Sequence, residues 1–177
     1  KDDEAIGNFD KVIEIEPNHS KAWGNRGFTL EAANRLDEAI KSFDKSLEID
    51  PKNTMSWLLK GRTLMRMENY EDAIRCFDKG LAINPKYVDA LGNKGIALDH
   101  LQKYDDALRC YDTILAIDPN DSKTWYGRGL IFIKTGKPDD AIQSFDKALE
   151  IDPNDEIIKN TRHEFLKSLK KGGSYRR

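Results

Sequence analysis

Five prolines, Pro17, Pro51, Pro85, Pro119 and Pro153, stand 34 residues apart, and most of the chain keeps the same step. Ala5, Ala39, Ala73, Ala107 and Ala141 share it, as do the aromatics Phe9, Phe43, Phe77, Tyr111 and Phe145. Ile15, Ile49, Ile83, Ile117 and Ile151 each precede a proline by two residues. Composition alone does not place so many residue types in one register. A period of this length marks a supersecondary unit that cannot bury its apolar faces alone and must stack on its neighbours, so the chain is predicted to be a solenoid.

The unit itself reads as two helices. In the second copy Trp57, Gly61 and Leu64 lie at i, i+4 and i+7, one face of a helix. After Asn69 a second apolar series follows at helical spacing, Tyr70, Ala73, Ile74, Phe77 and Leu81. Glu71 and Asp72 open it, where acids complement the helix dipole. Proline closes the unit, because it biases the preceding residue away from the helical region and cannot continue the ladder itself. A further set recurs four times: Trp23, Trp57, Leu91 and Trp125, each followed four residues later by Gly27, Gly61, Gly95 or Gly129. Glycine and alanine in these slots let the two helices approach closely.

With Trp23, Gly27, Leu30, Ala39, Phe43 and Pro51 at these spacings, the unit resembles the tetratricopeptide repeat, a helix-turn-helix of 34 residues. The resemblance implies an all-α fold, an α-solenoid in which antiparallel helix pairs form a right-handed superhelix. It covers nearly the whole chain as one domain over 1–171. Full repeats are expected at 20–53, 54–87, 88–121 and 122–155, preceded by the second helix of a truncated repeat at 1–19. A capping helix follows at 156–171 and a disordered tail at 172–177. The first helix thus reads as apolar surface that an upstream repeat would cover, and the chain is expected to be either a fragment of a longer one or a deliberate truncation. One slot departs from the simplest pattern, since Arg26, Lys60, Lys94 and Arg128 stand where leucine is expected. Their stems are expected to pack while their charges reach an acid. The repeated Asp10, Asp44, Asp78, Asp112 and Asp146 are the predicted partners.

Charge and composition narrow the function. A net charge of −2 gives no footing for nucleic acid, and the basic cluster Lys167, Lys170, Lys171, Arg176 and Arg177 suits a helix C-terminus. No apolar run is long enough to span a membrane. Cys76 and Cys110 occupy equivalent slots one repeat apart. Packed helices run about 8 to 10 Å apart, too far for a relaxed bridge, so both are expected as reduced thiols in a cytoplasmic protein. His19, His100 and His163 have no ligand spacing, and no metal or cofactor is expected. Gly136-Lys137 lacks the remainder of a phosphate loop. Acid pairs such as Asp105-Asp106 sit at helix starts, and no catalytic residue is assigned.

Function is therefore sought in what varies. Each first helix carries a second stripe opposite its tryptophan face. Along the chain it reads Lys21, Gly24, Asn25, Phe28, Glu31, Ala32, then Met55, Leu58, Leu59, Arg62, Met65, Arg66. It continues Asp89, Gly92, Asn93, Ile96, Asp99, His100, and ends Lys123, Tyr126, Gly127, Leu130, Ile133, Lys134. The family resemblance implies that first helices line a concave groove holding a partner's peptide or helix. The predicted contacts are Asn25, Phe28, Met55, Leu58, Leu59, Arg62, Met65, Arg66, Asn93, Ile96, His100, Lys123, Tyr126, Leu130 and Lys134. Apolar anchors beside arginine and lysine suit a ligand with apolar and acidic residues. Aliphatic members of the stripe have a second reading, as packing between neighbouring first helices. Co-chaperones of the family that grip acidic chaperone tails use Lys, Asn, Asn, Lys and Arg at five slots. Here those slots hold Leu58, Arg62, Asn93, Lys123 and Gly127, and only Asn93 and Lys123 agree, so that clamp is not expected. The chain is predicted to be a non-enzymatic interaction scaffold; the alternative is a spacer or self-association segment, pairing through the N-terminal helix.

Overall fold

A computed structural model describes residues 2–172, which form ten α-helices and, among the described residues, no strand. Residues 173–177, most of the predicted disordered tail, lie outside the described residues. The chain divides into two compact units, 1–103 and 104–177. The first contains α1 (Asp2–Ile15), α2 (Ser20–Ala32), α3 (Leu36–Ile49), α4 (Thr54–Arg66), α5 (Tyr70–Ile83) and α6 (Val88–His100). The second contains α7 (Tyr104–Ile117), α8 (Ser122–Lys134), α9 (Pro138–Ile151) and α10 (Glu156–Gly172). Within the first unit α2 packs on α3 and α4 on α5, and α2, α4 and α6 also touch in sequence. Within the second, α8 packs on α7 and α9, and α9 on α10.

Each recurrent residue has a local task. The acids Asp37 and Glu38, Glu71 and Asp72, Asp105 and Asp106, and Asp139 and Asp140 all occupy first turns of second helices. Helices α3, α5 and α9 end two residues before a proline, and their C-caps Asp50, Asn84 and Asp152 are already out of the helical region. The prolines also serve through their carbonyls. Trp23, Trp57 and Trp125 each donate the indole N–H to the carbonyl of Pro17, Pro51 and Pro119, all at 2.9 Å. The tryptophan thereby ties the first helix to the turn that precedes it.

The turn inside each repeat carries a period that residue types hide. Asn34, Glu68, Gln102 and Gly136 all have φ between 57° and 69°, and they stand 34 residues apart. The next amide reaches back to the helix: Arg35 to Leu30, Asn69 to Leu64, Lys103 to Leu98 and Lys137 to Phe132, each at 2.9 Å. This is the six-to-one hydrogen bond of a Schellman cap, which requires a left-handed residue. Only the fourth copy fills the position with glycine.

The glycine after the tryptophan lies against an aromatic ring. A Cβ built on Gly27 would come within 2.6 Å of Phe43, and one on Gly129 within 2.5 Å of Phe145. Phe43, Phe77 and Phe145 are completely buried. Around Phe77 the core includes Leu58, Leu64, Ala73, Cys76 and Ala97. Around Phe145 it includes Phe132, Ala141, Ala148 and Ile158.

The predicted charge ladder is present. Arg26 meets Asp10 at 2.6 Å, Lys60 meets Asp44 at 2.5 Å, Lys94 meets Asp78 at 2.6 Å and Arg128 meets Asp112 at 2.9 Å. A fifth rung, Arg162 to Asp146 at 2.6 Å, extends it into α10. Arg162 follows Arg128 by 34 residues, a signal the sequence reading passed over because α10 lacks the tryptophan and glycine. The cation also selects its neighbour. Arg26 and Arg128 use Nε for the aspartate and Nη1 for Ser42 and Ser144, at 2.7 and 3.4 Å. A lysine has one ammonium, and where Lys60 stands the serine is replaced by Cys76.

Candidate peptide-binding face

The variable stripe is set by how first helices begin. His19 accepts from the amide of Ala22 and Asn53 from that of Ser56, both at 3.0 Å, which starts α2 and α4 directly after the proline turns. From these starts, Lys21, Asn25 and Phe28 on α2 share an exposed face, as do Met55, Arg62 and Arg66 on α4. Phe28, Met55 and Ile96 are 51, 53 and 45% exposed, large apolar side chains left in water. Between α2 and α4 lies a cavity of about 250 Å3, with Lys21, Asn25 and Met55 at its walls and Ser56 and Leu59 at its base. Gly24 keeps it open, since a Cβ there would come 3.1 Å from Ser56 Oγ. Below it, Ser20, Ser46 and Ser56 form a hydroxyl chain, with 3.1 Å between the first two oxygens and 2.7 Å between the last two. Ser20 also donates to the Ser46 carbonyl at 3.0 Å, so the base of the cavity is fully hydrogen-bonded.

The cations of this face are positioned from behind. Glu31, predicted as part of the stripe, is buried, and its carboxylate lies 3.6 Å from Arg66 and 3.9 Å from Arg62. Arg66 further donates to the Glu31 carbonyl at 2.7 Å and to the Asn34 side chain at 2.9 Å. One carboxylate thus orients two guanidinium groups and leaves a positive excess on a partly exposed surface. Beyond them, Tyr87 donates its hydroxyl to Met55 Sδ at 3.8 Å. Burial, followed by the charge of Asp89, pushes the Tyr87 phenol above its ordinary value, and it stays a neutral donor at physiological pH.

Several predicted contacts lie elsewhere. Leu58 and Leu59 are only 5 and 8% exposed and belong to the cores around Phe77 and Phe43. Their place in the stripe is corrected. Consecutive first helices close over both: Leu58 is a packing residue, and Leu59 meets the face only at the base of the cavity. Met65 is half-buried against the Phe77 core. Asn93 donates to the Asp89 carbonyl of its own helix at 2.7 Å. His100 is exposed but stacked on Tyr70, with ring centres 4.4 Å apart and planes at 8°.

In the second unit the stripe residues lie on α8. Lys123 and Lys134 are exposed there. Tyr126 is half-buried, with its hydroxyl 3.3 Å from Thr161 Oγ1 on α10 and its ring centre 5.9 Å from that of Phe145. Leu130 and Ile133 pack against the same core.

Among the described residues no helix is long and apolar enough to cross a membrane. Nor, among them, do three His, Cys, Asp or Glu residues group so as to hold a metal ion.

Sequence profiles described as Tetratricopeptide repeat match residues 20–53, 58–122 and 122–155. No curated protein sequence matched significantly. Among solved structures, MamA superposes with a TM-score of 0.82 at 26% identity, over 86% of this chain and 89% of that one. A tetratricopeptide repeat protein from Parabacteroides merdae gives 0.84 at 20% identity, over 96% and 67%. YrrB, described as a TPR protein with an unusual peptide-binding site, gives 0.80 at 20% identity, over 92% and 84%.

Proposed function

Because this chain belongs to the tetratricopeptide repeat family, a family of protein-interaction scaffolds, we propose that it holds a peptide segment of a partner protein on its first-helix face. The observation that carries this reading is the exposed combination on α2, α4 and α6: Phe28, Met55 and Ile96 beside Arg62 and Arg66. Apolar side chains of a ligand would enter the cavity by Met55 and Asn25, and its acids would meet the guanidinium groups that Glu31 orients. On the second unit, taken by itself, Lys123, Tyr126 and Lys134 of α8 offer similar chemistry. On this proposal the protein is non-enzymatic and cytoplasmic; neither Cys76 nor Cys110 is in a disulfide, which suits a reducing compartment.

Peptides selected from a random displayed library on the intact chain test it. They are expected to pair aliphatic with acidic residues and to lose about tenfold or more in affinity, about 1.4 kcal/mol, on Arg62→Glu. Selected peptides that bind Arg62→Glu and Met55→Ala as well as the parent would overturn the reading. A second reading, self-association through α1, draws on Ile15 and Val12, which are 81 and 39% exposed. It requires a mass by light scattering that rises with concentration and falls back on Phe9→Asp.

A further inference from the structure

The opposite face of α4 holds a second cavity, of about 430 Å3, bounded by α3 and α5. Its walls are apolar: Ile40 from α3, Trp57 and Leu64 from α4, and Cys76 from α5. Its rim is cationic, with Arg75 and Lys79 one turn apart on α5, and Lys60 beside them.

This cavity follows from the lysine and cysteine of this repeat; the third repeat has the same pair, Lys94 and Cys110, but carries Leu91 where this one has Trp57. In the first and fourth repeats the arginine lays its guanidinium over the tryptophan, 5.9 Å from the Trp23 ring centre and 5.4 Å from that of Trp125. There it also reaches the serine of the facing helix. Lys60 ends in a single ammonium drawn aside to Asp44, and Cys76 offers a thiol that needs no such donor. The space over Trp57 is left open. Burial pushes the Cys76 thiol up to about 11, so the wall stays uncharged. At the rim, Asp72 answers Arg75 at 2.7 Å and Asp44 answers Lys60, whereas Lys79 has no acidic partner among the described residues. One positive charge is left over beside an apolar hollow of a size within the usual range for small ligands, about 300 to 1,000 Å3.

We propose that this cavity binds a small amphipathic carboxylate, its hydrocarbon part over Trp57 and Leu64 and its anionic head on Lys79 and Arg75. The site lies outside the peptide-binding face and does not depend on it. Charge complementarity selects the anion, and the neutral walls select the chain.

Decanoate is the probe, titrated below its micelle concentration into the intact, isotopically labelled chain. The indole N–H signals of Trp23, Trp57 and Trp125 are followed, each assigned by its Trp→Phe variant. The expected result is saturable movement of the Trp57 signal with Trp23 and Trp125 unmoved, and binding at least tenfold weaker for decanol and for Lys79→Glu. Lys79 is exposed, so that variant folds; Cys76→Leu, which fills the hollow, is expected to abolish the movement. No saturable shift, a common shift of all three indoles, or an affinity unchanged by both Lys79→Glu and Cys76→Leu would overturn the proposal.

Discussion

Replacing Gly61 by alanine sets two effects of known sign against each other. In the middle of a helix the change from glycine to alanine gains about 1 kcal/mol in propensity. At Gly61 the new methyl would fall closer than 3 Å to three carbons of the Phe77 ring, where carbon atoms prefer about 3.5 to 4.0 Å. Phe77 is fully buried among Leu64, Ala73 and Cys76, so the ring has no free space to yield into. Overpacking of a close-packed core costs about 1 to 3 kcal/mol, and so direct an approach lies near the upper end. The expected net loss is about 1 to 2 kcal/mol, a fall of about 0.5 to 1 M in the urea midpoint if the slope is about 2 kcal/mol per M. Gly7 and Gly80 are the controls. A Cβ on Gly7 meets nothing within 4 Å, and one on Gly80 lies 3.6 Å from Trp57 Cβ, so Gly7→Ala and Gly80→Ala keep the propensity gain and stabilise. Repeat arrays unfold in parts, so amide exchange of α4 and α5 should report the loss alongside the midpoint. Gly61→Ala at or above parental stability would refute the argument. So would losses from Gly61→Ala and Phe77→Leu that simply add, because a clash with the ring must make the pair less than additive.

Other consequences are smaller. The Lys60 to Asp44 pair is partly exposed, and a double-mutant cycle with Lys60→Met and Asp44→Asn should give about 0.2 to 1 kcal/mol, shrinking as salt is raised. Glu68 holds φ at 59° without a glycine's freedom, and Glu68→Gly is expected to raise stability by about 1 kcal/mol in urea unfolding. Burial raises the Cys76 thiol from 9.0 to about 11 in the folded chain, so folding opposes its ionisation. The stability tied to the neutral thiol is complete below about pH 9 and is lost as pH rises towards 11. The difference in stability between the parent and Cys76→Ser should therefore shift against the parent over that window, and a flat difference would contradict it.

The period of the sequence makes the helices legible because a 34-residue step puts the same chemistry at each helix start, helix end and helix crossing. Trp57, Gly61, Phe77 and Pro85 could be assigned to helix faces and turns from spacing alone, and the aspartate ladder from its matching cations. The left-handed residues were harder to see. Asn34, Glu68, Gln102 and Gly136 share a backbone conformation imposed by the cap, and the cap tolerates four different side chains. Arg162 was visible as a 34-residue echo of Arg128, but the missing tryptophan and glycine of α10 drew attention away from it.

The candidate face divides along the same line. That a variable stripe exists on each first helix follows from helical spacing, and Phe28, Met55, Arg62 and Arg66 are where the sequence puts them, in water. Spacing within one helix carries no information on how closely the next helix approaches. Only packing therefore withdrew Leu58 into the core, left Leu59 at the base of the cavity alone, buried Glu31 as the anchor of two arginines and stacked His100 on Tyr70. The hollow over Trp57 is likewise a tertiary result. The sequence supplies a lysine and a cysteine in place of an arginine and a serine, and the fold turns that difference in length and hydrogen bonding into open volume.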